Sequence, residues 1–152
     1  MRTFELNIFI DCPREEVYEH VSQPINMIGL QPLLTTIDIL KEQKDGSGVV
    51  LRPFHMVLTF RWLKLPILRK KIYSAIHTTK PPSELEFHVF SKPDVNLIYH
   101  YFFHKTEEGG THLIQKVRFE KVNKLLENLV FDQAIQAQRA MLANLKVRLE
   151  KN

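Results

Sequence analysis

Apolar and polar positions alternate with period two through most of residues 4–122, and after that the apolar residues recur at steps of three and four. Period two marks strands with one buried face, whereas steps of three and four line one side of an α-helix. Phe4, Leu6, Ile8 and Ile10, set against Glu5, Asn7 and Phe9, predict a first strand. Pro13 followed by Glu15 marks a helix start, and Val17, Tyr18 and Val21 give that short helix an apolar stripe ending before Pro24. Residues 24–32 hold Ile25, Met27, Ile28 and Leu30 between two prolines, room for one or two further helical turns.

Strands are predicted next over 34–42 and 49–62, joined by a turn at Asp45 and Gly46. In the second of these, Phe54, Met56, Leu58, Phe60 and Trp62 share one face and His55, Thr59 and Arg61 the other. Further strands follow over 72–78, stopped by Pro81 and Pro82, and around Leu85, Phe87 and Val89. A last hairpin, 95–105 and 111–122, turns at Glu107, Glu108, Gly109 and Gly110. Strand 95–105 is partly apolar on both faces. Turning Leu97, Tyr99, Tyr101 and Phe103 inward leaves His100 and His104 in solvent, and a slip of one residue reverses this.

The closing segment, 123–151, reads as one helix capped by Asn123, roughly 40 Å long at 1.5 Å per residue. Its stripe is Leu126, Val130, Ala134, Ala137, Met141, Leu145 and Leu149. Ala134 and Ala137 are small where a helix gripping a sheet would offer Leu or Phe. They leave volume for a ligand unless large sheet residues fill it. Strands joined by tight turns imply an antiparallel sheet, and one long helix must bury its stripe against it. The expectation is a single α+β domain over 1–152: a curved seven-stranded sheet around a long C-terminal helix, with two short helices between the first and second strands.

This order resembles the helix-grip superfamily, which includes START lipid-transfer domains, the major birch pollen allergen, polyketide cyclases and coenzyme Q-binding proteins. The local marks are Ile8 to Ile10 leading into Cys12, Pro13, Glu15, Glu16 and Val17, the pair Pro81 and Pro82 before Leu85, and Gly109, Gly110 and Thr111 opening the last strand. Many bacterial members carry a Trp before the proline closing the second short helix, where this chain has Leu30 and Gln31. The resemblance implies a cavity for a hydrophobic small molecule, lipid-like or aromatic, between sheet and helix. It also admits a polyketide cyclase-like enzyme or a ribosome- or chaperone-type interaction module.

Composition narrows this little. At 152 residues, 44% hydrophobic and 25% charged, the chain can bury a sizeable core. A net charge of +4 admits an acidic partner without requiring one. Cys12 is the single cysteine, and the N-terminal residues alternate instead of forming a continuous apolar run, so a cytoplasmic protein is expected.

The candidate chemistry is sparse. On a strand, His100 and His104 stand about 13 Å apart, too far to share a zinc ion held at about 2 Å per ligand, so no metal site is expected. No nucleophile elbow, P-loop or dinucleotide fingerprint is present, and neither a cofactor nor a catalytic residue is assigned. Cys12 reads as a structural residue at a chain turn.

Polar residues on the inner face are more informative, because a buried polar group needs a partner that a ligand, a water or a neighbour can supply. Gln115 and Ser74 are the clearest, with the phenols of Tyr99 and Tyr101 beside them. The expected ligand-binding set is Met56, Ser74, Phe87, Tyr99, Tyr101, Gln115, Ala134, Ala137 and Met141. Arg61 to Lys71 interleaves basic with apolar residues, as a membrane-surface or RNA contact would require, although no specific nucleic-acid motif accompanies it.

Overall fold

The computed structural model describes residues 2–60, 68–91, 95–122, 124–125 and 127–151. Strand β1 (Thr3–Ile10) leads through Cys12 and Pro13 into helix α1 (Arg14–Val21), followed by a single 3-10 turn, Pro24–Met27. Strands β2 (Leu34–Ile39), β3 (Gln43–Lys44), β4 (Val50–Phe60), β5 (Leu68–Lys80), β6 (Glu84–Ser91), β7 (Val95–Lys105) and β8 (Thr111–Lys121) come next, and helix α2 (Glu127–Glu150) closes the order.

The strands form one antiparallel sheet in the order β1-β8-β7-β6-β5-β4-β2, with the two-residue β3 added on β4. That short strand is the difference from the expected seven. The region expected as one strand over 34–42 stops at Ile39, and the chain pairs again only at Gln43 and Lys44, just before the turn held by Asp45. There the Asp45 carboxylate accepts from the Ser47 and Val49 amides.

Helix α1 begins where the sequence places it. Pro13 carries no N–H to leave unpaired, and its carbonyl accepts from the amides of Glu16 and Val17 at 3.0 and 3.1 Å. The Thr111 hydroxyl ties this corner to β8 by donating to the Cys12 carbonyl at 2.8 Å. Gly110 is required beside it, because a Cβ there would meet the Ile10 carbonyl oxygen at 2.8 Å.

The pleat sorts the two faces of the sheet. Phe54, Met56, Ile72, Ile76, Leu85, Phe87, Leu97, Tyr99, Tyr101, Phe103, Leu113 and Val117 are buried on the inner side. His55, His77, His88, His100, His104 and His112 all stand on the outer side. His100 and His104 therefore face outward, as the first of the two β7 registers requires.

Against the inner face lies α2, about 36 Å long at 1.5 Å per residue. Lys124 and Leu125 form a turn, so the helix starts a turn later than expected; Asn123 and Leu126 lie outside the described residues. Phe131 anchors its first half on Phe4 and Phe119, with ring centroids at 5.6 and 5.3 Å. In its second half Gln138, Met141, Leu142 and Leu145 are buried. Leu145 is wholly enclosed and Val147 exposed, so Leu145→Ala should lower the unfolding free energy by about 2 to 5 kcal/mol. Val147→Ala should change it by less than about 0.5 kcal/mol, and urea denaturation of both variants checks the contrast.

Candidate functional site

The pairing of β7 with β8 sets Tyr101 directly opposite Gln115, and that of β6 with β7 sets Phe87 opposite Tyr99. All four point inward beneath α2. Gln115 Nε2 donates to Tyr101 Oη at 2.7 Å and to Gln138 Oε1 at 2.9 Å, joining two strands and the helix. Gln138 also hydrogen-bonds Tyr99, and the Tyr101 hydroxyl donates to Met141 Sδ at 3.9 Å. Burial raises the ionisation of both phenols far above the usual tyrosine range, so they remain neutral donors.

Gln138 is absent from the expected set, and its signal was its spacing: four after Ala134 and three before Met141, on the same helical face. Being polar, it does not stand out in a search for apolar recurrence. The buried stripe passes through Gln138, and Ala137 beside it is only half-buried. Ala134 packs against the edge of the core, still half-buried. The two alanines thus flank the centre of the helix–sheet contact instead of marking it.

Met56 and Ser74 lie farther across the sheet on β4 and β5, both buried. Ser74 Oγ has no hydrogen-bond partner, and neither has Gln115 Oε1. Phe87, Tyr101 and Met141 share the wall of a small apolar cavity of about 10 Å³ with Val21, Met27 and Leu30. That space is about what one water requires.

The same cavity reaches His20 and Asn26, where the end of α2 is stitched to the α1 segment. Arg148 donates to the carbonyls of Asn26 and Ile28 at 2.6 and 2.8 Å, and Asn144 to that of Leu30 at 2.9 Å. Gly29, in the left-handed region at φ 86, allows this approach, since a Cβ there would stand 2.8 Å from the Arg148 guanidinium. Arg148 Nη1 also lies 3.2 Å from His20 Nε2, and because the guanidinium can only donate, the imidazole must accept as a neutral ring.

Burial, followed by the Arg148 charge, lowers the His20 ionisation below 6.5, and burial followed by His88 does the same at His77. Between those lowered values and about 6.5 the unfolded chain binds more protons than the folded one, so stability falls as pH drops through that window. The melting temperature should therefore be lower at pH 5 than at pH 7. H20Q, whose amide oxygen still accepts from Arg148, should flatten part of that fall; an unchanged pH profile would mean that the contact has no such effect.

Cys12 is buried, and its thiol, pushed up to about 11 by burial and by the neighbouring Glu16 carboxylate, remains protonated. The native protein should resist iodoacetamide at pH 8 and react fully in urea, as mass spectrometry would read. Among the described residues no group of three or more His, Cys, Asp or Glu could hold a metal, and no helix is long and apolar enough to cross a membrane. Of the basic segment Arg61 to Lys71, residues 61–67 lie outside the described residues, and Arg69 and Lys71 are exposed on β5.

No family model matches the chain, and no curated protein matches it in sequence. Solved structures do match it over its whole length. A START superfamily protein from Mycobacterium smegmatis superposes with a TM-score of 0.73 at 13% identity, covering 98% of this chain and 97% of its own. The Zhui aromatase/cyclase from Streptomyces sp. R1128 gives 0.69 at 14% identity, with 99% and 96% covered. Ara h 8.0201 gives 0.73 at 12% identity, with 99% of each chain covered. The chain has the helix-grip fold.

Proposed function

We propose that this protein encloses a hydrophobic small molecule between the inner face of its sheet and α2, acting as a carrier or sensor. The observation that carries this is a polar network sealed inside an apolar face, Tyr99, Tyr101, Gln115 and Gln138, with Gln115 Oε1 left without a partner. A buried acceptor without a partner costs about 1 to 3 kcal/mol, which a bound molecule would relieve. That the same fold is shared by a START superfamily protein and an aromatase/cyclase supports the reading.

Uptake requires the wall to move, because the space now beside Tyr101 is about 10 Å³. Met27 and Met141 on that wall are unbranched and adapt readily, and the first half of α2 is only half-buried. Entry is at the short helices, where Met27 and Leu30 border the cavity. Binding is favoured over catalysis by the polar groups themselves. Among the described residues the buried polar side chains are Ser, Thr and Gln and the buried phenols are held neutral, while His20 at the cavity's edge is already engaged as an acceptor by Arg148.

Native mass spectrometry of freshly purified protein should reveal a bound apolar molecule, or a panel of lipids and aromatic compounds should raise the melting temperature. Met27→Trp, which fills the mouth, should weaken uptake at least about tenfold, an expected cost of overpacking. An empty spectrum together with no stabilisation by any of the panel would overturn the proposal.

A further inference from the structure

Most of the buried polar side chains are matched by the protein itself. Ser22 donates to the Glu19 carbonyl, Thr78 to that of Val50 and Thr111 to that of Cys12, while Gln31 Oε1 accepts from the Leu33 amide. Gln115 differs. Both hydrogens of its amide nitrogen are used, on Tyr101 and Gln138, while its oxygen, on a side chain with 0% exposure, has no partner. Tyr101 is unmatched in the complementary way. Its oxygen accepts from Gln115, but its own hydrogen is directed at the Met141 thioether at 3.9 Å, a weak acceptor. One bare acceptor and one poorly used donor thus belong to residues directly opposite each other on β7 and β8.

We infer that Gln115 and Tyr101 form a clamp for one neutral hydroxyl group on the bound molecule, an alcohol or a phenol. It rests on the cavity proposed above and names the polar group of the ligand held there. The hydroxyl hydrogen is donated to Gln115 Oε1, and the hydroxyl oxygen accepts from Tyr101 in place of Met141. Tyr101 and Met141 line the existing cavity while Gln115 lies behind them, so the hydroxyl enters beside Tyr101 and displaces the Met141 thioether to reach Gln115.

The same two atoms reject other head groups. An ether, ester or ketone only accepts, so it could satisfy Tyr101 but would leave Gln115 Oε1 bare. A carboxylate only accepts and brings a charge, and among the described residues the buried polar side chains, all Ser, Thr or Gln, include no cation to balance it. An ammonium donates to Gln115 but meets no buried anion and offers nothing to the Tyr101 hydrogen. Of these groups only a neutral hydroxyl, which donates and accepts at one atom, satisfies both residues.

Two matched probe sets test this: 2-naphthol, 2-methoxynaphthalene, 2-naphthoate and naphthalene, and dodecanol, its methyl ether and dodecanoate. Titration calorimetry of the wild-type protein should give at least about tenfold tighter binding of the hydroxyl member of a set than of its ether or acid, the size of effect that one unpaired buried acceptor produces. Gln115→Met, close in volume and without the amide, should bring the ratio of alcohol to ether affinity down to about one, whatever it does to the absolute affinity of either. If that variant does not fold, the wild-type ratio alone decides. Equal binding of alcohol and ether, or a preference that survives Gln115→Met, would overturn the clamp and leave the cavity standing. Binding of none of the probes would overturn both.

Discussion

The constraint on which the rest depends is the register of β7 between β6 and β8. Because side chains alternate strictly, one pairing sends Leu97, Tyr99, Tyr101 and Phe103 inward and His100 and His104 outward, and a slip of one residue would exchange them. The exchange would bury imidazoles in an apolar layer and expose four large rings and aliphatic groups, so the hydrophobic term and the cost of burying polar groups act in the same direction. The outer face reinforces the choice. His100 lies 3.0 Å from a Glu84 carboxylate oxygen across the β6–β7 pair, and His104 stands opposite His112, which stacks on Phe9 at 4.2 Å. Tyr101 meets Gln115 only in this register, and with it come the network to Gln138 and the contact to α2.

The helix is held differently at its two ends, and this governs what can move. Its end near Glu150 is fixed through backbone groups: Lys146 reaches the Phe9 carbonyl at 2.7 Å, the Asp11 amide donates to Glu150, and Arg148 and Asn144 occupy three carbonyls of residues 26–30. Its beginning rests on ring contacts of Phe131 and on Arg2, which lies over that ring at 3.7 Å and also bonds Asn128. Ring packing tolerates sliding far better than charge-assisted bonds to backbone carbonyls. Adjustment to a guest should therefore fall on the first half of α2, pivoting about Gln138 and Met141.

Much of the fold was legible in the sequence because its elements announce themselves locally. Alternation gave the strands, and paired prolines and Asp-Gly gave the breaks; the inward positions of Tyr99, Tyr101 and Gln115 follow once a face is chosen. The phase of α2 was less legible. Ala134, Ala137 and Met141 fit a helical period as well as Ala134, Gln138 and Met141 do, and apolar recurrence prefers Ala137 although the sheet buries Gln138 and leaves Ala137 half-buried. Gln138 is inside because Gln115 is there to bond it, a pairing between residues on different elements that no local pattern carries. Cavity size was illegible for a related reason. Small residues at Ala134 and Ala137 suggest unfilled volume, but the cavity lies elsewhere along the helix, among Phe87, Met27, Leu30 and Met141, and its size depends on rotamers set by the packed whole.

A polar network inside an apolar layer is a poor way to gain stability, since each hydrogen bond contributes only about 1 kcal/mol net and an unmatched acceptor costs more. Val and Leu at 115 and 138 would fill the same layer with less risk. The arrangement is better explained by what it prevents and what it selects. Bonds from Gln115 to both Tyr101 and Gln138 tie the helix to β7 and β8 at one rotation, with Met141 and Leu142 already buried beside them. The amide oxygen left over is then kept in a defined place, on the rigid β8, facing a layer otherwise apolar. A loop could present the same oxygen, but it would find water or turn aside. Held between two strands and a helix, it has neither outlet, and that enforced lack of a partner would give a guest in this interior a chemical preference to meet that an all-apolar layer would lack.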